Sequence, residues 1–126
     1  MQLRVSGIIA LMVAIAFGSN VYADPPASVG KTFDKVVAAV ISGDRDAFVA
    51  LATPAVKSAF TPEIMKSVRS AFGKRLEAGY SAEYLCELDQ AGLEVHLWKV
   101  SFRDGGDDVV VRIAMQEDLV AGFFLQ

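Results

Sequence analysis

The stretch LEVHLWKVSFRDGGDDVVVRIAMQ, residues 93–116, decides the fold. Two apolar runs flank Asp104-Gly105-Gly106-Asp107, a glycine-rich segment that predicts a hairpin turn between two strands. In the second run Val109, Val111, Ile113 and Met115 occupy alternate positions, with Asp108, Arg112 and Gln116 between them, which is the period of a half-buried strand. The first run is less regular. Leu93, Val95 and Leu97 share one face, whereas Trp98, Val100 and Phe102 share the other. The switch near Leu97-Trp98 implies a bulge or bend there, or a strand covered on both sides along part of its length.

Outward from this hairpin the strand signal continues in both directions. Gln116-Glu117-Asp118 turns into Leu119–Leu125, which is apolar on both faces and carries Gly122, a mark of a bend or a close backbone approach. Upstream, Gln90-Ala91-Gly92 forms a turn, preceded by a strand from Ser81. Tyr84, Cys86 and Leu88 alternate there with Glu83, Glu87 and Asp89, so Cys86 is expected in an apolar row as a small core side chain. Connections this short cannot carry parallel crossovers, and the four strands are expected to form an antiparallel meander.

Before about Gly79 the period becomes helical. Phe33, Val36, Val37, Val40 and Ile41 fall on one face of an amphipathic helix that Gly43 should stop. Asp44 can cap a short second helix by accepting from the amide of Asp46 or Ala47. Thr53-Pro54 and Thr61-Pro62 repeat one device, a hydroxyl N-cap followed by proline at the first helical position. The last helix should place Ile64, Met65, Val68, Phe72 and Leu76 on one side. Its basic residues Lys66, Arg69, Lys74 and Arg75 read as a solvated face that complements the helix dipole. Phe33, Phe48, Phe60 and Phe72 read as core. Helices followed by strands define an α+β class, with N-terminal helices packed on a strongly bent four-stranded antiparallel sheet.

The first 23 residues have the make-up of a secretory signal: Arg4 as the one charge, an apolar run from Gly7 to Phe17, and Val21-Tyr22-Ala23 ending in small residues. The run is shorter than the roughly 20 residues a spanning helix needs, so cleavage after Ala23 is expected, followed by release without stable membrane insertion. A leader without cysteine has no thiol to acylate. Residues 24–126 then form a single domain in a periplasmic or secreted setting. The full chain has 126 residues, 12 basic and 15 acidic side chains and a formal charge of -3. That balance argues against a nucleic-acid partner. The hydrophobic share of 53% is raised by the leader. A core of this size needs no disulfide, and Cys86 has no second cysteine to pair with.

Few side chains could do chemistry. Strand spacing aligns Glu94, His96 and Trp98 on one face, which offers a proton acceptor beside a carboxylate and an indole wall, or equally a hydrogen-bonded strand face. One histidine and one cysteine cannot close a zinc site without carboxylates, and no ligand spacing supports one, so no metal and no cofactor are expected. Asp104, Asp107 and Asp108 lack the spacing of a calcium loop. No nucleophile elbow, phosphate loop or dinucleotide fingerprint occurs.

Phe33-x-x-Val36-Val37 with the Gly43-Asp44 break, Phe60-Thr61-Pro62-Glu63 opening a further helix, and a meander closing on Val120-Ala121-Gly122-Phe123 together resemble the NTF2-like superfamily, a cystatin-like α+β cone. The resemblance covers nearly all of residues 24–126 and is closest in style to the small exported domains of unknown function DUF3887 and DUF4019. It implies a cavity between helices and sheet that binds small molecules or, in relatives such as ketosteroid isomerase and scytalone dehydratase, performs acid-base chemistry. A fold does not set an activity, and no tyrosine-plus-acid pair can be placed in one cavity from sequence. The expectation is therefore an exported domain, more binder than enzyme, that takes a small apolar ligand or a protein partner. Tyr84, His96 and Trp98 are its candidate lining, and a homodimer could form through the sheet. The alternatives are a small isomerase or dehydratase using His96 as its candidate catalytic residue, and a structural or inhibitor-like interaction module.

Overall fold

The computed structural model describes residues 24–126; the expected leader lies outside the described residues. Helices α1 (Ala27–Ser42), α2 (Arg45–Val49), α3 (Pro54–Ala59) and α4 (Pro62–Val68) are followed by a π-helical segment, Arg69–Gly73, and a last turn α5 (Lys74–Glu77). Strands β1 (Tyr80–Gln90), β2 (Leu93–Phe102), β3 (Val109–Gln116) and β4 (Leu119–Leu125) pair in chain order, every pair antiparallel. This is the α+β layout expected from the sequence. Among the described residues no helix is long and apolar enough to cross a membrane.

The helix boundaries follow from local chemistry. Gly43 takes a left-handed conformation, its amide donates to Val40 O and that of Asp44 to Ala39 O, which satisfies the last carbonyls of α1. Asp44 accepts from the amide of Ala47, Thr53 from Val56 and Thr61 from Ile64. Two arginines then tie helix ends together. Arg69 Nε donates to Ile41 O at 3.0 Å, and Arg45 donates to the carbonyls of Lys57 and Phe60. Arg69 and Arg75 are both half-buried, so the expected solvated basic face keeps only Lys66 and Lys74.

The helical layer covers one face of the sheet. Phe33, Val36, Val40, Phe48, Met65, Phe72 and Leu76 meet Trp98, Val100, Val111, Ile113 and Val120 in one core. Phe48 lies between Phe60 and Phe123, both rings tilted against it with centroids 4.4 and 5.5 Å away. Phe33, Phe48 and Phe72 are buried and Phe60 half-buried, as their core reading requires. Ile64 departs from expectation: it is 43% exposed. Met65, Phe72 and Leu76, seven and four residues apart, share the core-facing side, and Ile64 lies about 100° round the helix from Met65. The helix widens into a five-residue π-segment at Arg69–Gly73.

Two register shifts correct the strand reading. One lies in β1 between Tyr84 and Cys86, where Tyr84 pairs with Trp98 while Cys86 pairs with Leu97. Adjacent residues of β2 point to opposite faces, so Tyr84 joins the helix-covered side and Cys86 with Leu88 the outer side. Cys86 is half-buried there and takes no part in the core. The irregularity expected in β2 at Leu97-Trp98 therefore sits in its partner strand. β2 itself continues without a shift in its pairing with β3, and Val95 on the outer face and His96 on the helix side are both buried. The second shift lies in β4, between the pairs Ala114 with Gly122 and Met115 with Val120. β4 is not covered on both faces, since Phe124 is 54% exposed.

Candidate functional site

The site grows from the bulge. With Leu85 looped out of the ladder, Tyr84 and Glu87 both turn towards the helix side and flank His96, which pairs across the strands with Glu87. Strand alternation in β2 adds Glu94 and Trp98 to the same side. The row Glu94, His96, Trp98 thus forms as its spacing implied. It meets Tyr84 and Glu87 from β1 and Phe33 from α1.

Trp98 stacks on Phe33 with centroids 4.3 Å apart and planes 18° from parallel, and Tyr84 meets the indole edge-on at 5.3 Å. These three rings wall an open cleft of about 610 Å3 between the start of α1 and β1, which Ala82, Gly30 and Asp34 also line. The cleft size lies within the span of small-molecule sites. Side chains of the helices and the sheet meet in one core beneath this cleft. A second cleft, of about 380 Å3, lies on the other side of α1 near the β3–β4 turn and carries Glu94, Glu117 and Asp118.

His96 reaches neither cleft and has no exposed surface. It is held between them. Tyr84 Oη lies 2.8 Å from His96 Nδ1, and His96 Nε2 lies 3.4 Å from Glu94 Oε1. Burial, reinforced by the nearby Glu87 carboxylate, pushes the Tyr84 hydroxyl above its ordinary range, so it stays protonated. A protonated Tyr84 can donate to Nδ1, which places the ring proton on Nε2, facing Glu94. The reverse tautomer donates from Nδ1 to Tyr84 and leaves Nε2 bare towards the carboxylates. Chemically the row is a buried imidazole with a phenol on the first cleft at one end and a carboxylate on the second at the other.

Of the residues proposed from sequence, Tyr84 and Trp98 line the first cleft and His96 backs it. Glu87 was missed, together with Phe33 and Asp34 as cleft walls. No local signal marked Glu87, because its face is set by the extra residue at Leu85, which shows only in the pairing with β2. Asp104 belongs to a separate structure. It receives two hydrogen bonds from Arg75, and Arg75 also lies 3.8 Å over the Phe102 ring, which makes the carboxylate-rich loop a tether rather than a site.

No protein-family model matches the chain, and no curated protein does. Among solved structures it is similar to an uncharacterised cystatin-fold protein from Novosphingobium aromaticivorans, at 16% identity and a TM-score of 0.42, covering 76% of this chain and 95% of that one. A likeness this loose carries no argument about family or activity.

Proposed function

We propose that this is an exported NTF2-like domain that binds a small, largely apolar molecule in the cleft walled by Phe33, Tyr84 and Trp98. The observation that carries the reading is the aromatic wall itself. Three rings converge on an open space of about 610 Å3 that already has the dimensions of a ligand. Flat rings offer dispersion contact, and the Tyr84 hydroxyl, with the carboxylates of Asp24, Asp34 and Glu83, supplies polar groups able to orient a guest. Native mass spectrometry of the protein taken from its own compartment should show a carried small molecule. Ala82→Trp, at an exposed position on the cleft, should displace it while leaving the circular dichroism spectrum unchanged. A wild-type protein that carries nothing, or an Ala82→Trp variant that keeps its guest, would refute the reading.

The Tyr84–His96–Glu94 row supports a second reading, acid-base turnover of that same molecule, with His96 exchanging a proton through the Tyr84 hydroxyl at the cleft. Incubating the identified guest with wild type and His96→Gln separates the two readings. Product formed by the wild type alone supports turnover, and an unchanged guest in both leaves binding as the function.

The outer face of the sheet suggests how copies associate. Leu88, Val95, Leu97 and Phe124 lie on it by register, with Leu88 and Phe124 exposed. We propose it as the contact of a homodimer.

A further inference from the structure

We propose that Glu87, Glu94 and His96 form a three-ligand site for a divalent transition-metal ion, with zinc as its best-suited occupant. One ligand atom from each residue lies within 4.8 Å of the other two. The 3.4 Å between His96 Nε2 and Glu94 Oε1 is longer than the usual 2.7–3.2 Å for an N–H···O hydrogen bond. It fits a shared ion better. Zinc bonds of about 2.0–2.2 Å to nitrogen and oxygen put two ligand atoms roughly 3.4 Å apart at the tetrahedral angle.

Charge supplies an independent argument. Two carboxylates converge on one buried imidazole, and among the described residues neither has a lysine or arginine within ion-pair distance. Like charges gathered on one sheet face repel unless a cation sits between them. Glu117 and Asp118 share the second cleft with Glu94 and add negative potential along the approach. The outer partner that an imidazole ligand needs is also present. With Nδ1–H donating to Tyr84 Oη at 2.8 Å, the ring presents a bare Nε2 to the ion, and its orientation is held from behind.

A set of one nitrogen and two oxygens leaves a fourth position for water, as in zinc sites that stay open. Binding at Nε2 also excludes proton passage from His96 to Glu94. It leaves the Tyr84 hydroxyl hydrogen free to point into the first cleft. The site needs no guest in that cleft, so it stands or falls separately from the ligand-binding reading.

The test is titration of metal-stripped protein with zinc against a chromophoric chelator, with cobalt as a spectroscopic substitute. One zinc per chain is expected, together with a visible cobalt band of low-coordinate geometry. Glu87→Gln and Glu94→Gln, both at exposed positions, should each weaken zinc at least tenfold. Cys86→Ser should change nothing, because the thiol lies on the outer face. The proposal is overturned if no stoichiometric zinc binds below about 100 µM (a standard-state affinity of some 5–6 kcal/mol), if either glutamine variant binds as wild type does, or if Cys86→Ser abolishes binding.

Discussion

Of the helical glycines among the described residues, Gly73 is the one where a methyl group cannot fit. A Cβ there would lie 2.5 Å from the Val40 carbonyl oxygen, which is backbone and cannot swing aside. Its φ of -60° is ordinary for any residue, so the glycine serves closeness rather than an unusual backbone. Replacing glycine by alanine inside a helix ordinarily gains up to about 1 kcal/mol. Forcing a methyl into a packed contact costs about 1–3 kcal/mol, and here the clash wins. Gly73→Ala should therefore lower stability in urea titration by about 1 kcal/mol or more. A variant as stable as wild type would show that α1 and the π-segment can slide apart.

At the scale of elements, the loop between β2 and β3 is held to α5 by one arginine. The Arg75 guanidinium, and after it the Gly106 amide, hold the Asp104 carboxyl well below the usual carboxylate range, at about 2. The unfolded chain has an ordinary aspartate near 4, so on acidification it takes up the proton first. Asp104 thus contributes stability that is complete above about pH 4 and is lost as pH falls towards 2. Asp104→Asn should flatten the stability profile between those limits. Equal slopes in wild type and variant would mean that the pair is not formed in solution. The same scale shows what the amino-acid pattern can carry. The starts of α2, α3 and α4 were legible because each rests on a local carboxylate or hydroxyl, at Asp44, Thr53 and Thr61, and β2 was legible to the residue. The bulge at Leu85 was not, because it depends on which partner Tyr84 finds across the sheet. That single residue decides whether Tyr84 and Glu87 face His96, so the row Glu94-His96-Trp98 could be read while its company could not. The π-segment escaped for a similar reason, since an extra residue per turn leaves no mark until Gly73 meets Val40.

For the whole molecule the sheet has two unlike faces, one packed under helices and one open with Leu88 and Phe124 at its surface. If the open face joins two copies, sedimentation equilibrium at tens of micromolar should give twice the chain mass, and Leu88→Lys with Phe124→Lys should return it to the monomer mass. A wild type that sediments as a monomer would remove the dimer. The far edges differ as well. Among the described residues β1 is a free edge, and its Glu83, Glu87 and Asp89, with the bulge among them, discourage a further strand from adding. β4 is engaged instead: Thr53 N donates to Val120 O at 3.0 Å and Val120 N to Leu51 O at 2.8 Å, a short parallel bridge to the helical layer. That bridge sets an order of events. The loop after α2 has no partner, and Phe48 lacks the Phe123 ring, until the last strand is in place, so closure waits on the most distant part of the chain.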